Sequence, residues 1–257
     1  MFMRNLLRPL VIIPPYNDRE NATEIIPAIL RMDARLHVLI VDDSSPDKTA
    51  AVVSKLGETS CLGRLFLMTR PGKLGLGSAY VQGFKWGLKK GYDFLIQMDA
   101  DWSHNPADLS SMLHFAETFE CVIGSRYVAG GGTSNWDLGR KLLSRSASIY
   151  SRMILKSDFA DFTGGFNGWA GEVLEKIGVD GLHSDGYSFQ IELKYRADQM
   201  GFTHTEFPII FTERRSGKSK MSLSIALEAC WRVWQFRLAR RKAGMKTEIQ
   251  NRPLINR

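Results

Sequence analysis

The amino-acid sequence predicts an α/β fold built on a mainly parallel central sheet. Short apolar runs alternate with segments of helical periodicity through the first half of the chain, and charged residues directly follow several of these runs. Strands separated by helices of about 10–15 residues are typical of βαβ units, whose crossover connections make neighbouring strands parallel. With 257 residues and 44% hydrophobic content, the chain is large enough to bury a full core.

The individual elements follow from apolar periodicity and from the residues that end each run. Asn21 is predicted to cap the first helix, with Glu24 three residues later, and Pro27 argues against an uninterrupted helix there. Glycines 130–132 predict a loop. The predicted strands cover residues 10–14, 37–41, 64–68, 94–98, 121–124 and 207–212, and the predicted helices cover residues 22–32, 48–56, 78–90 and 107–117.

Charge and cysteine content limit the class of protein. The net charge of +7 favours an anionic partner such as a phosphorylated substrate, an anionic lipid or nucleic acid. Three scattered cysteines without a CxxC pair indicate neither a disulfide framework nor a zinc site. The apolar runs are too short to predict a membrane-spanning helix, and the N-terminal run is too short for a signal peptide.

Two carboxylates follow the fourth predicted strand. Asp99 and Asp101, separated by Ala100, come directly after the apolar run that ends at Met98. Such hard oxygen ligands suit Mg²⁺ or Mn²⁺ when the cation must also hold a substrate diphosphate, although acidic turns are common in their own right. A second acidic cluster, residues 42–47, follows the second strand. Because ligands of open α/β sheets bind beyond the carboxyl ends of the strands, both clusters are expected to line one crevice.

Eight motifs then occur in a recognisable order. They are residues 11–21 (VIIPPYNDREN), 42–47 (DDSSPD), 73–80 (KLGLGSAY), 98–101 (MDAD), 124–127 (GSRY), 139–141 (GRK), 161–166 (DFTGGF) and 214–220 (RRSGKSK). Each motif alone is weak, but the ordered set resembles the polyprenyl-phosphate mannosyltransferases, the dolichol-phosphate mannose synthase group of glycosyltransferase family 2. The resemblance covers residues 10–222, and it is to the short members of the group, without a membrane-spanning extension.

The resemblance implies a GT-A fold, which is a Rossmann-like nucleotide-sugar-binding architecture, with a GDP-mannose donor and a Mg²⁺ or Mn²⁺ cofactor. Asp101 is expected to bind the metal directly, and Asp99 to bind the ribose or the metal. Asp18 stands where the family usually has glutamate, which shortens its reach to the base or ribose. The implied nucleotide-sugar contacts are Pro14, Tyr16, Asp18, Val41, Asp43, Asp99, Ala100, Asp101, Arg126, Arg214 and Lys220, and the implied catalytic residues are Asp99, Asp101, Arg126 and Arg140.

The implied acceptor is a polyprenyl phosphate of the dolichyl type, which would become polyprenyl-phosphate mannose as GDP leaves. A phosphate monoester is mostly dianionic at neutral pH, so its oxygen needs no general base. Direct in-line attack would invert the anomeric centre. The five histidines lack ligand spacing and are expected to be structural. Guanidinium groups suit the gathering of several phosphate charges, and the expected cations are Arg126, Arg140, Arg214 and Lys220.

The C-terminal sequence predicts a basic amphipathic helix from Leu223 to about Lys246. The chain is therefore divided into a catalytic domain, residues 1–222, and a basic helix and tail, residues 223–257. Such a helix can lie in an anionic membrane interface, which would place the protein peripherally on the cytoplasmic face of a membrane, alone or with a membrane-anchoring subunit. Docking on the core or dimerisation is the alternative. Residues 144–155 are a second candidate for the interface.

Three other functions remain open from the sequence. The same fold could use UDP-glucose or UDP-N-acetylglucosamine, because Tyr16 and Asp18 do not decide which base is bound. The basic charge also fits a nucleic-acid-binding protein, but no aromatic RNA-binding signature is present and the acidic strand ends would repel phosphate without a metal, so no nucleic-acid partner is expected. A catalytically silent membrane adaptor with the same fold is the third alternative.

Overall fold

A computed structural model describes residues 8–182, 184, 186–213 and 230–238 of the chain. The strands are β1 (Pro9–Ile13), β2 (His37–Asp42), β3 (Leu65–Thr69), β4 (Phe94–Gln97), β5 (Cys121–Ser125), β6 (Gly132–Ser134), β7 (Asn167–Ala170), β8 (His204–Pro208) and β9 (Ile210–Thr212). The helices are α1 (Arg19–Met32), α2 (Thr49–Thr59), α3 (Leu76–Lys89), α4 (Asp108–Ala116), α5 (Leu138–Leu155), α6 (Gly171–Ile177) and α7 (Gly186–Gln199), with a 3₁₀ turn at Val179–Gly181. Residues 230–238 are also helical.

The predicted α/β class and mainly parallel sheet are confirmed. The central sheet has seven strands in the order β3-β2-β1-β4-β7-β5-β8. Its pairings are parallel except where β7 lies antiparallel between β4 and β5. A second, two-stranded parallel sheet pairs β6 with β9. Since β7 reverses direction between them, β4 and β5 point the same way and their carboxyl ends meet at one edge.

The central strands are buried on both faces because helices cover the sheet on each side. Every residue of β1 is buried, and the four apolar residues of β2 from Val38 to Val41 have no exposed surface. This explains why these strands are continuous apolar runs rather than alternating ones. Gly83 lets α3 approach β1 closely, since a Cβ there would lie 2.6 Å from Cγ2 of Ile12. The position of α3 matters below, because this helix begins beside the strand ends.

Several predicted boundaries of helices, strands and loops differ from those in the structure. The helix α1 begins at Arg19 and is capped at the Asp18 position, so the predicted cap at Asn21 lies inside the helix, which also continues through Pro27. The loop predicted to open at glycines 130–132 leads into the short strand β6, which begins at Gly132. The predicted strand at 207–212 is two strands that belong to different sheets, because the chain changes partners at Ile209.

The sequence did not predict β7, whose residues Asn167 to Ala170 lack an apolar alternation. Tertiary contacts hold this strand in place. The side-chain amide of Asn167 donates to Gln190 at 2.9 Å, and the indole of Trp169 donates to Gln97 at 2.9 Å. All four of these side chains are buried. The strand is therefore specified by long-range hydrogen bonds and packing rather than by local propensity.

Candidate active site

The loop after β4 presents two carboxylates at the carboxyl edge of the sheet. Asp101 is only 6% exposed, and its Oδ1 accepts a hydrogen bond from the backbone N–H of Ser103 at 3.1 Å. The backbone N–H of Asp99 donates to Nδ1 of the buried His104 at 3.2 Å. Trp102 has a φ of 63°, a left-handed conformation that non-glycine residues rarely adopt and that concentrates at functional sites. The loop is therefore held in one tight shape.

Tyr80, on the buried face of α3, supports this loop. Its hydroxyl donates to the backbone carbonyl of Met98 at 3.3 Å, and its ring stacks on Phe189 with centroids 6.1 Å apart. Burial, and then the negative charges of Asp99 and Asp101, raise the pKa of Tyr80 well above its ordinary value. The phenol therefore stays neutral and remains a hydrogen-bond donor beside the two carboxylates.

Asp99 and Asp101 offer the oxygen ligands that Mg²⁺ and Mn²⁺ prefer. Within the described ranges, no group of three or more His, Cys, Asp or Glu side chains is arranged to hold a metal ion by itself. Mg²⁺ sites that handle nucleotides commonly use one or two carboxylates and leave the other positions to phosphate oxygens and water. The residues present therefore fit a divalent cation that is shared with a diphosphate substrate.

The ends of β1 and β2 lie beside the acidic loop, because Ile12 pairs with Gln97 and Ile13 pairs with Ile40. Two of the predicted nucleotide contacts, Pro14 and Tyr16, follow β1 and are partly exposed, while Val41 is buried within β2. The edge thus brings together the predicted residues that follow β1, β2 and β4.

Asp18 is engaged locally. Its carboxylate accepts the backbone N–H of Tyr16 at 3.3 Å and the side-chain amide of Asn21 at 3.2 Å. The side chain thus braces the turn between β1 and α1. Its predicted contact with a base or ribose stays a prediction.

Asp43 is bound by Arg70, which sequence reasoning did not identify. Nε and Nη2 of Arg70 donate to the two carboxylate oxygens at 2.5 and 2.7 Å, and the side chains are 2% and 11% exposed for Arg70 and Asp43. Oδ2 also accepts the backbone N–H of Leu74 at 3.2 Å. Asp43 therefore ties the end of β2 to the loop after β3. One signal could have found Arg70: it lies two residues after the third predicted strand, at the edge where the other functional residues were expected.

Arg126 follows β5 at the same edge and forms a buried ion pair. Its Nε and Nη2 each donate to a carboxylate oxygen of Asp161 at 2.7 Å, and Nη2 also donates to Oγ1 of Thr163 at 2.7 Å. Arg126 is 5% exposed and Asp161 is fully buried. A protein carboxylate therefore orients this guanidinium, and its predicted contact with a substrate anion stays a prediction.

Lys194 extends this ion pair into a larger charged cluster. It is fully buried on α7, and its Nζ donates to the backbone carbonyls of Asp161 at 2.7 Å and Gly164 at 3.0 Å. Burial lowers the pKa of Lys194 to about 8, against the opposing charges of Asp161 and Glu206. Burial alone would raise the pKa of Asp161, but Arg126 and Lys194 together hold it well below its ordinary value. Asp161 lies in the sequence motif of residues 161–166, whereas no local sequence pattern identifies Lys194.

Arg140 lies in the first turn of α5 and stacks on Trp136. Its Cζ is 3.9 Å from the centroid of the indole ring, and Cζ of Arg126 is 5.6 Å from the same centroid. Nη1 of Arg140 donates to Glu213 at 3.1 Å, while Nε is buried without a hydrogen-bond partner among the described residues. Trp136 therefore brings two of the predicted cations together, and sequence reasoning missed it.

Arg214 and Lys220 lie outside the described residues, so their predicted contacts with the nucleotide stay predictions. The described chain reaches the acidic loop just before them. The backbone N–H of Thr212 donates to the carbonyl of Ser103 at 3.1 Å, and the N–H of Glu213 donates to the carbonyl of Ser134 at 3.2 Å. The small β6–β9 sheet is therefore attached to the loop that carries Asp101.

Comparison with known proteins agrees with this arrangement. Residues 10–178 match the model of the family described as glycosyl transferase family 2. The chain is 45% identical over 232 residues to the polyprenol monophosphomannose synthase of Mycolicibacterium smegmatis, covering 90% of this chain and 87% of that protein. It is 38% identical over 244 residues to the undecaprenyl-phosphate mannosyltransferase of Micrococcus luteus, covering 95% of this chain and 99% of that protein.

A solved structure shares the fold. The mannosyltransferase PcManGT of Pyrobaculum calidifontis, in complex with GDP-Man and Mn²⁺, has a TM-score of 0.57 and 21% identity, over 82% of this chain and 58% of that one. The GT-A fold that the motifs implied is confirmed, as is the resemblance to the polyprenyl-phosphate mannosyltransferases. With its acidic and basic residues at one edge of such a sheet, and with relatives matched over most of their length, this chain is a glycosyltransferase that belongs to glycosyltransferase family 2.

Proposed function

We propose that the protein transfers mannose from GDP-mannose to a polyprenyl monophosphate and releases GDP. The observation that carries the proposal is the 45% identity to a polyprenol monophosphomannose synthase over 90% of this chain. The sheet edge supports it, because a carboxylate pair follows β4 and Arg126 follows β5, with Arg140 against the same indole ring as Arg126. The shared fold of a mannosyltransferase crystallised with GDP-Man and Mn²⁺ supports the choice of donor.

The donor is proposed to bind at the acidic loop and at the ends of β1 and β2. Asp101 is proposed as a direct ligand of Mg²⁺ or Mn²⁺, and Asp99 as a ligand of the cation or the ribose. A divalent cation held there would neutralise diphosphate charge and so stabilise GDP as a leaving group. Tyr80 keeps the loop in place from the α3 side through its bond to the Met98 carbonyl.

The acceptor phosphate is proposed to bind beside Arg140. The stacked guanidinium has one buried donor, Nε, without a partner among the described residues, and guanidinium groups match phosphate geometry. A phosphate oxygen attacks C1 of mannose, the bond from C1 to the diphosphate oxygen breaks, and the electron pair leaves with GDP. This displacement inverts the anomeric centre. The dianionic nucleophile needs no general base, so the protein supplies orientation and charge relief.

The helix α5 buries polar side chains and exposes apolar ones, unlike a helix packed on an apolar core. Its buried positions are largely serines, Ser144, Ser148 and Ser151, together with Leu155. Its exposed positions include four large apolar side chains that are 49–77% exposed, at spacings of 4, 7 and 4 residues, which places them on one stripe. These side chains are Leu138, Leu142, Ile149 and Met153.

The helical residues 230–238 carry further exposed apolar side chains. Val233 is buried at 1% exposure, so one face docks on the domain, while Trp231, Trp234 and Leu238 are 44–64% exposed on the outside. The hydroxyl of Tyr150 on α5 donates to the carbonyl of Cys230 at 3.3 Å, which joins the two helices.

The seven exposed side chains form what we call the apolar surface: Leu138, Leu142, Ile149, Met153, Trp231, Trp234 and Leu238. It is proposed to lie in the interface of an anionic membrane, where Trp and flanking cations such as Arg145 and Arg152 are favoured. No described helix is both long enough and apolar enough to cross a bilayer. The predicted division at residue 222, with a membrane-binding C-terminal element, remains part of this proposal.

The proposed activity is tested by a panel of donors and acceptors with the purified full chain. GDP-mannose, GDP-glucose, UDP-glucose and UDP-N-acetylglucosamine would each be offered with polyprenyl phosphate, polyprenol and no acceptor, with Mn²⁺, Mg²⁺ or EDTA. We expect mannolipid only with GDP-mannose, polyprenyl phosphate and a metal. Equal transfer from a UDP-sugar would contradict GDP-mannose as the donor. Transfer to polyprenol would contradict polyprenyl phosphate as the acceptor. No transfer from any donor, with intact folding, would favour an adaptor role.

A further inference from the structure

Arg70 is buried at the site edge but is not among the residues predicted to bind substrate. It directly follows β3 and makes four side-chain hydrogen bonds to three partners. Two go to the carboxylate of Asp43, one goes from Nη1 to Oγ of Ser78 at 2.7 Å, and one goes from Nη2 to the carbonyl of Gly75 at 3.1 Å. The side chain of Arg70 is 2% exposed, so its hydrogen bonds lie inside the protein rather than on the surface.

The bonds of Arg70 close the loop of residues 71–75. Its C-terminal end is fixed, because Arg70 donates to the carbonyl of Gly75 and the N–H of Leu74 donates to Asp43 at 3.2 Å. At its other end, the backbone N–H of Arg70 donates to the carbonyl of Asp42 at 2.8 Å. Gly75 has a φ of 96°, a conformation that other residues rarely adopt. Ser78 adds a bond to the carbonyl of Leu74 at 2.7 Å. The Asp43–Arg70 ion pair therefore lies at the centre of the hydrogen bonds that hold this loop in one conformation.

The 71–75 loop places Lys73 beside the end of β1. The ammonium of Lys73 lies 4.3 Å from the ring centroid of Tyr16, within cation–π range. Lys73 is exposed and Tyr16 is partly exposed, so both can reach a ligand. A carboxylate has about four acceptor positions, and the described bonds to Asp43 use three of them. Asp43, Lys73 and Tyr16 thus present one acceptor, one cation and one aromatic ring from three separate strand ends.

We propose that Arg70 is a positioning residue for the nucleoside end of the donor: through Asp43 and Gly75 it holds the 71–75 loop so that Lys73, Tyr16 and Asp43 form one recognition surface. The ligand class that fits these three groups is a nucleoside diphosphate, with a flat base, ribose hydroxyls and negative charge. This inference rests on the proposed function, because it deepens how the donor is bound.

The test compares two arginine-to-lysine changes at opposite ends of the same strand. Arg70→Lys keeps the charge but loses the planar fork whose separate nitrogens bind Asp43, Ser78 and Gly75. Arg64→Lys is the matched control, since Arg64 precedes β3 and its Nη1 donates to the carbonyl of Leu30 at 3.0 Å, away from the site edge. GDP and GMP binding are measured by isothermal titration calorimetry, with and without Mn²⁺, and thermal unfolding of each unliganded variant is recorded.

We expect Arg70→Lys to weaken GDP and GMP binding by a similar factor of about 10, with or without Mn²⁺, in line with the loss of an orienting partner. Lys73→Met is expected to weaken both ligands in the same way. Arg64→Lys should stay within about 2-fold of the unchanged protein, a difference worth less than about 0.5 kcal/mol.

Unchanged affinity in Arg70→Lys, or a loss confined to Mn²⁺-dependent binding, would overturn the inference. If Arg70→Lys does not fold, Lys73→Met alone decides, and unchanged affinity there would be equally contrary. Binding of UDP and UMP in place of GDP and GMP by the unchanged protein would overturn the proposed donor but not this inference, which is then measured with the uridine nucleotides.

Discussion

The guanidinium of Arg126 and the carboxylate of Asp161 form a buried ion pair with two hydrogen bonds of 2.7 Å, which joins the end of β5 to the turn at residues 161–164. The same carboxylate accepts the backbone N–H groups of Arg126, Thr163 and Gly164 at 2.9–3.2 Å. Arg126, which is expected at the reaction centre, is therefore also part of a structural ion pair. Substitution of either residue should affect stability as well as activity.

Asp161→Asn should destabilise the protein by about 3–5 kcal/mol, because it leaves the buried charge of Arg126 uncompensated. Urea unfolding, followed by circular dichroism, measures the change in the free energy of unfolding. Asp33→Asn is the control, since it breaks an ion pair with Arg35 whose side chains are 25% and 42% exposed. That change should cost no more than about 1 kcal/mol. Equal, small losses in both variants would show that the Arg126–Asp161 pair does not stabilise the fold.

The lowered pKa of Asp161 predicts a loss of stability in acid. Its folded pKa lies below its unfolded value, so its contribution is fully present above about pH 4 and is lost as the pH falls toward the folded pKa. The difference in unfolding free energy between the unchanged protein and Asp161→Asn should therefore shrink from pH 5 toward pH 2. A difference that stays constant over this window would contradict the assignment.

Lys194 predicts the opposite slope at alkaline pH. Its folded pKa of about 8 lies below the usual value of about 10.4, so above pH 8 the unfolded state binds more protons than the folded state. Relative to Lys194→Met, the unchanged protein should gain stability between about pH 8 and 10, by at most about 1.4 kcal/mol per pH unit. Chemical unfolding of both proteins across this range measures the slope. A flat or falling difference would mean that burial does not lower the pKa of Lys194 in the folded protein.

Asp101→Asn should abolish most metal-dependent turnover. Replacing an anionic ligand by a neutral amide weakens the electrostatic hold on a cation, and a loss of several kcal/mol in transition-state stabilisation corresponds to at least about 100-fold in rate. Mannolipid formation and Mn²⁺ binding in the presence of GDP are both measured. Asp93→Asn, at the opposite end of the same strand, serves as the control and should leave both quantities unchanged. Full turnover by Asp101→Asn would remove this residue from the proposed site.

Met153→Gln should weaken binding to anionic vesicles by about 10-fold, because burial of one large apolar side chain contributes about 1.5–3 kcal/mol. Met153 lies on the apolar surface at 64% exposure. Leu62→Gln changes a side chain that is 72% exposed but lies between α2 and β3, outside that surface. Co-sedimentation with phosphatidylglycerol vesicles compares the two. If both variants bind like the unchanged protein, the proposed membrane surface is wrong.

The sequence by itself determined which segments of the first half form the parallel strands, and which carboxylates follow the fourth of them. Both follow from local patterns: apolar runs such as Leu10 to Ile13 form buried strands, and Asp99 and Asp101 come directly after the apolar run that ends at Met98. Helix ends were less accurate, as at Asn21, because capping depends on a few tenths to about 2 kcal/mol and on contacts that the sequence does not display.

The tertiary structure alone decided which side chains are partners and which faces are covered. Asp43 and Arg70 lie 27 residues apart, and Arg126 and Asp161 lie 35 apart, so their pairing exists only after the strand ends have met. The helix α5 displays a serine stripe and an apolar stripe in its sequence, and periodicity cannot tell which one is buried. Packing buried the serines, since their hydroxyls bond to Tyr127, Thr163 and the helix backbone, and this left the apolar stripe on the outside.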